Sequence, residues 1–205
     1  MSELTVLVES GPDEGLVWHH GNPVTEARAL ESGEGVVALS NRDVVEIFGE
    51  DRLTLLHLIS TQHMEALQPG ESGALLILGA QGHIQHSLQF VDDGESLLGW
   101  TEPGRGAALV EHVLRMRFAM RVEAAVRDDL RLYWVGHKVP VPEGARTRHS
   151  ELGGSEVFVA DAMPETVGTW AFEAMRIAAG QPRVFVDTDE RTIPNEIGLF
   201  GTHLD

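Results

Sequence analysis

The sequence predicts an α+β fold, in which antiparallel strands carry helices on one side. Short apolar stretches recur along the chain and are separated by turn residues such as Asp92-Asp93-Gly94. Three consecutive stretches between Gly73 and Thr101 follow one another in the arrangement of an antiparallel meander. Other segments place apolar residues at helical spacing, and these predict the helices.

Residues 1–34 predict a lead-in segment. Leu4–Val8 favours a short strand and is followed by turn residues. Pro23 suits the first turn of a helix that continues to Leu30, and Gly33 suits its end.

Residues 35–135 predict a first α+β lobe. Strands are predicted at 36–39, 44–48, 73–80, 81–91 and 95–101, and two more lie around Asp128-Asp129. A helix is predicted at 51–59, with a broad apolar face made by Leu55, Leu56, Leu58 and Ile59. A second helix begins at Pro103 or Gly104 and runs to about Phe118.

Residues 136–205 predict a second α+β lobe. It contains a short strand at 156–160, a helix at 168–179 closed by Gly180, and then a short strand with loops. The helix places Trp170, Ala174, Ile177 and Ala178 on one face. We expect Trp170, like Trp100 and Trp134, to belong to the core.

The charge of the chain limits its classes of partner. The 205 residues include 32 acidic and 15 basic side chains, and the formal net charge is -17. A chain this acidic repels phosphate backbones, so direct binding of nucleic acid is not expected. There is neither an apolar run of the roughly 20 residues that cross a bilayer nor a signal-peptide pattern, so we expect a cytoplasmic protein without membrane contact. The absence of cysteine excludes thiolate chemistry in this chain.

The histidine pairs do not predict a metal site. His83 and His86 are three residues apart on a predicted strand, so their side chains should point to opposite faces. His19 and His20 are adjacent, and their side chains diverge.

Three segments resemble the glycine cleavage T-protein (GcvT)/YgfZ superfamily when taken together. The first, residues 39–91, is similar to a family segment that runs strand, Gly-x-Asp, helix, turn and glycine-containing hairpin. Gly49, Asp51, Thr61 and Gly82 stand at the matching positions.

The other two segments lie near the end of the chain. Arg176, Gly180 and Pro182 resemble the family's Arg-x-x-x-Gly-x-Pro element, and Pro194 and Glu196 resemble its Pro-x-Glu element. The resemblance implies GcvT/YgfZ-like folate-binding lobes, with tetrahydrofolate or a derivative held between them.

The resemblance also implies roles for individual residues. Glu196 would accept the amide N–H and the exocyclic amine of a pterin in a bidentate pair. Arg176 would pair with a carboxylate, either that of Glu196 or that of the ligand's glutamate tail. Thr61 and Met64 belong to the turn that approaches the pterin in the family, although an ordinary turn after a helix explains them equally well.

The chain departs from the family in two respects. YgfZ-type proteins continue beyond the point equivalent to Asp205 into a KGCYxGQE segment and a C-terminal β-barrel. We therefore expect the barrel to be absent and the surface it would cover to favour self-association. Folate-dependent aminomethyltransferases carry an Asp-Asp pair after the hairpin glycine, where this chain has Gln85 and His86. Gln85 cannot carry a negative charge, and His86 has a different shape and sign.

Two functions therefore remain open from the sequence. The first is a bacterial, YgfZ-type tetrahydrofolate-binding protein without transferase activity, which supports the assembly or repair of iron–sulfur enzymes, including those that modify tRNA. Gln85 and His86 would then border the folate without catalysing its chemistry. The second is a folate-dependent aminomethyltransferase or demethylase, in which His86 or a more distant acid replaces the aspartate.

Overall fold

The computed structural model describes residues 4–199, which fold into two compact units. The first unit is formed by residues 4–41 and 129–182, and the second unit by residues 42–128 and 183–199. Each unit therefore combines two separate stretches of the chain.

The strands are β1 (Val6–Leu7), β2 (Val17–His19), β3 (Val36–Ala38), β4 (Asp43–Phe48), β5 (Ser72–Leu78), β6 (Ile84–Asp92), β7 (Ser96–Thr101), β8 (Glu123–Val126), β9 (Arg131–Val135), β10 (Arg146–His149) and β11 (Ser155–Val159). The helices are α1 (Pro23–Glu31), α2 (Arg52–Ile59), α3 (Gly106–Met116) and α4 (Thr169–Ala178), with short 3₁₀ helices at Met64–Ala66 and Pro194–Ile197. All the strand pairs in residues 4–199 are antiparallel, and the sheets form no closed barrel. The predicted α+β class is confirmed.

The second unit contains a five-stranded sheet in the order β5-β6-β7-β4-β8. Its helices α2 and α3 pack on one face, because apolar side chains of both helices join those of the strands in a single core. The buried members of this core are Val45, Ile47, Leu55, Leu56, Met64, Leu75, Ile77, Leu88, Phe90, Leu97, Leu109, Val113 and Val122. The alternation along β5 is typical of a sheet covered on both faces, since Leu75 and Ile77 face the helices while Leu76 faces the other way.

The opposite face of this sheet is covered by the C-terminal segment of the unit. Leu76 and Ile84 pack there against Val184 and Leu199. The segment forms no strand in its described part and consists of turns followed by the 3₁₀ helix Pro194–Ile197. The prediction of a short strand after residue 180 is therefore wrong.

The first unit contains a four-stranded sheet in the order β10-β11-β9-β3 and the separate hairpin β1-β2. Trp134 of β9 is fully buried and its ring lies 5.9 Å from that of Phe172 on α4. The other face buries a second group, Val36, Ala38, Tyr133, Val135 and Val157. Trp134 is thus a core residue, as the sequence suggested.

The boundaries of the two units differ from those of the contiguous lobes predicted at 35–135 and 136–205. The reason is strand pairing across a long stretch of sequence. Val36–Ala38 pairs with Arg131–Val135 in the first unit, and the intervening residues 42–128 make a sheet of their own. Hydrophobic periodicity identifies strands but not such distant partners.

The face of α4 that the sequence predicted to be apolar is exposed to solvent. Trp170 and Ile177 are 41% and 64% exposed, and Ala174 and Ala178 are exposed as well. The buried side of α4 carries Thr169, Ala171, Phe172 and Arg176 instead. This helix has apolar residues on more than one side, so its pattern alone does not identify the side that packs.

No helix within residues 4–199 combines the length and the apolar character required to span a bilayer.

Two leucines of α2 provide a test of this packing. Leu56 is fully buried in the core of the second unit, whereas Leu58 is 66% exposed. We expect Leu56→Ala to lower the free energy of unfolding by about 2–5 kcal/mol and Leu58→Ala to change it by less than about 0.5 kcal/mol. Urea denaturation of both variants measures the difference, and equal losses would contradict the orientation of α2.

Candidate functional site

The hairpin formed by β5 and β6 in the second unit carries Gln85 and His86. Ile77 of β5 pairs with His86, and the next pair is Leu78 with Ile84, so Gln85 is an extra residue in β6. A β-bulge of this kind redirects side chains and is common beside functional sites. Gln85 is exposed, and its amide lies so close to Gly79 that a Cβ there would be 2.8 Å from the Gln85 Nε2 atom.

The segment that carries Glu196 meets this hairpin. The backbone N–H of Ile84 donates to the carbonyl oxygen of Thr192 at 3.0 Å, and the Ile193 side chain approaches Gly82. Glu196 lies in the 3₁₀ helix Pro194–Ile197 and is exposed. The structure therefore brings the Pro-x-Glu element close to the hairpin, as two parts of one unit.

The Glu196 carboxylate is oriented by its own backbone. Its Oε2 atom accepts a hydrogen bond of 3.0 Å from the N–H of Ile193, which precedes the 3₁₀ helix. A carboxylate has about four acceptor positions, so this bond leaves acceptor capacity on both oxygens. The backbone bond reduces the freedom that the side chain would lose on binding a ligand.

The His86 side chain is half-buried and lies against α3. Its ring centre is 4.9 Å from that of His112. Burial lowers the pKa of His86 to about 4, and the neighbouring His112, Arg105 and Arg115 act in the same direction. His86 is therefore neutral at pH 7 and cannot reproduce the negative charge of an aspartate.

Thr61 and Met64 have structural contacts in this unit. The Thr61 N–H donates to the carbonyl oxygen of Leu76 at 2.9 Å, and its Oγ1 atom accepts from the Leu76 N–H at 3.1 Å. Thr61 thereby joins the turn after α2 to strand β5. Met64 is only 1% exposed and packs in the core, so in this conformation its side chain presents almost no surface to a ligand.

Arg176 belongs to the first unit and pairs with a carboxylate of its own helix. Its Nε atom donates to Glu173 Oε2 at 2.8 Å, and its Nη1 atom donates to the carbonyl oxygen of Gln181 at 3.0 Å. The side chain is buried. These bonds close the C-terminal end of α4, where Gly180 adopts a left-handed conformation with φ 67°.

The Gly-x-Asp element also has a structural role. Gly49 has φ 111°, and a Cβ there would lie 2.1 Å from the carbonyl oxygen of Arg121, so only glycine fits. Asp51 Oδ2 accepts from the backbone N–H of Arg121 at 2.8 Å and from its Nε atom at 3.1 Å. Hydrogen bonds from Arg121 lower the pKa of Asp51. The element thus connects the start of α2 to the segment that leads into β8.

A buried ion cluster holds the C-terminal segment of the second unit, and the sequence analysis missed it. Glu102 accepts from Arg183 twice, Oε1 from Nε at 3.1 Å and Oε2 from Nη2 at 2.7 Å, and Arg42 Nη1 lies 3.5 Å from Glu102 Oε2. All three residues are buried. Pairing over a separation of 81 residues has no local sequence signal.

The fold is similar to that of a solved aminomethyltransferase of the glycine cleavage system. The chain matches the crystal structure of glycine cleavage system aminomethyltransferase T from Bartonella henselae with a TM-score of 0.73 and 13% identity. The match covers 90% of this chain and 62% of that chain. At this identity the likeness establishes a GcvT-like fold, which confirms the fold that the resemblance implied. No protein-family model and no curated protein matches the sequence.

The electrostatics of His86 are directly testable. By ¹H–¹³C NMR titration we expect a pKa of about 4 for His86. In the unfolded chain His86 takes up a proton near pH 6.5, whereas in the folded chain it does so only near pH 4. His86 therefore lowers the free energy of unfolding as the pH falls from about 6.5 to about 4. In His86→Gln, the free energy of unfolding should fall less steeply over the same range. A His86 pKa above 6 would contradict the burial described above.

Proposed function

We propose that this protein binds tetrahydrofolate through its second unit. The observation that carries the proposal is that Glu196, with its carboxylate oriented by the Ile193 N–H, lies on a segment bonded to the hairpin of Gln85 and His86. A GcvT-like fold supports a folate-related function, since the similar structure is that of an aminomethyltransferase T. Glu196 would bind the pterin's amide N–H and amine, and charge-assisted bonds of this kind are strong.

The chemistry of the hairpin favours binding without transfer. By the resemblance, aminomethyltransferases carry two aspartates where this chain has Gln85 and His86. The first is an amide, and the second is an imidazole that stays neutral at pH 7 because burial lowers its pKa. Neither side chain supplies the negative charge that polarises the transfer step. We propose accordingly that the protein is not a transferase.

The cellular role follows from the same resemblance. The non-catalytic YgfZ branch consists of folate-binding proteins that support iron–sulfur enzymes, including those that modify tRNA. We propose this role for the present chain, in a bacterial cytoplasm. The KGCYxGQE segment of that branch has no counterpart in residues 1–205.

Calorimetric titration with tetrahydrofolate tests the binding site. We expect micromolar affinity, which corresponds to about 8 kcal/mol. Glu196→Gln should weaken binding roughly 10- to 150-fold, because it removes a charge-assisted pair worth about 1.5–3 kcal/mol. Glutamine at this position retains the cap on Ile193, so the fold should be unaffected.

The matched control is Glu190→Gln, which removes the same charge from an exposed position of the same segment. It should bind tetrahydrofolate as the unaltered protein does. Equal affinity in the Glu196→Gln variant would show that Glu196 is not the pterin ligand, and absence of binding in the unaltered protein would contradict the proposal as a whole.

An assay of aminomethyl transfer to tetrahydrofolate separates the two candidate functions. We expect no turnover above the uncatalysed rate, because Gln85 and His86 stand where the aminomethyltransferases carry aspartates. Turnover that is abolished in His86→Ala would favour the enzyme instead.

A further inference from the structure

We propose that Arg105, His86, His112 and Arg115 of the second unit form a binding site for an anionic group, either a carboxylate or a phosphate. The site shares His86 with the proposed folate site, but its ligand is defined by charge and by N–H donors rather than by a pterin.

The first argument is the sign of the charges. The chain carries 32 acidic residues against 15 basic ones. Nevertheless Arg105 and Arg115 form no ion pair with a carboxylate among residues 4–199, whereas Arg52 and Arg127 in the same unit do. The charged neighbours that act on His86 are His112, Arg105 and Arg115. Two guanidinium groups without a carboxylate partner, beside two neutral imidazoles, attract an anion even in an acidic protein.

The second argument is the direction of the donors. Arg115 Nη2 lies 3.0 Å from His112 Nδ1. A guanidinium can only donate, so His112 Nδ1 must accept, and the proton of the neutral ring is on Nε2. His112 therefore has an N–H left to donate, and its ring lies beside that of His86. The two imidazole rings and the Arg115 guanidinium are thus adjacent, and the His112 Nε2–H is a donor available to a ligand.

The third argument is the support beneath Arg105. Its guanidinium carbon lies 4.2 Å from the centre of the Phe185 ring. Stacking on an aromatic ring fixes the plane of the guanidinium and leaves its N–H edge for a ligand. Phe185 has φ 73°, an unfavourable conformation for a residue with a Cβ, and its N–H is bonded to Thr188 Oγ1 at 2.8 Å. Strain of this kind is concentrated at functional sites.

The acid on the Phe185 turn, Asp187, is bonded within that turn. Asp187 Oδ2 accepts from the backbone N–H of Arg183 at 2.8 Å, which stabilises the turn itself. An anion bound beside His86 would favour its protonated form. Affinity for a carboxylate should therefore increase as the pH falls towards the low pKa of His86, with uptake of a proton.

The test is an NMR titration that follows the ring signals of His86 and His112. The probes are inorganic phosphate and 4-aminobenzoylglutamate, which carries two carboxylates but no pterin. We expect at least one probe to shift both histidines and to bind more tightly at lower pH. Arg105→Gln and Arg115→Gln should each weaken binding about five- to tenfold, as expected for the loss of one partly exposed charge-assisted bond.

The control is Arg121→Gln, which removes one positive charge from the pair with Asp51 in the same unit. It should leave the affinity unchanged. If 4-aminobenzoylglutamate shifts the histidine signals and phosphate does not displace it, the site binds carboxylates. If phosphate alone shifts them, the site binds phosphate groups. The proposal is overturned if neither probe shifts the histidines, or if all three variants lose affinity equally. Because no probe contains a pterin, this result is independent of the outcome for Glu196.

Discussion

The buried carboxylate of Glu102 is the interaction on which the proposed site depends. It receives two hydrogen bonds from Arg183 and lies near Arg42, with all three residues buried. Removing one partner from such a cluster leaves an uncompensated charge and typically costs about 3–5 kcal/mol. Glu102 follows strand β7, and Arg183 begins the C-terminal segment of the second unit. The pair therefore attaches this segment, which forms no strand within residues 183–199, to the sheet of the second unit.

Attachment at Arg183 determines where the following residues lie. Val184 and Leu199 cover the outer face of the sheet, and Thr192 accepts a hydrogen bond from Ile84 of the hairpin. These contacts bring the segment that carries Glu196 to the hairpin, and Phe185 reaches Arg105. Thus one ion cluster positions both the proposed pterin ligand and the proposed anion site, although the residues concerned come from separate parts of the chain.

The sequence predicted those elements whose signals are local. The strands of the meander and the helices α2 and α3 were found within a few residues, because alternation and helical spacing are properties of neighbouring residues. Glu102 and Arg183 are 81 residues apart, and no such pattern connects them. The buried side of α4 depends on Phe172 packing against Trp134, a tertiary contact. The low pKa of His86 likewise depends on burial beside α3, which its flanking sequence does not specify.

We propose that the hairpin and the Glu196 segment form one folate site. NMR can test this by following the backbone amide signals of the protein while tetrahydrofolate is added. We expect the signals of residues 82–86 and 192–197 to shift together, with one common dissociation constant. Shifts confined to other parts of the chain, or different constants for the two segments, would contradict it.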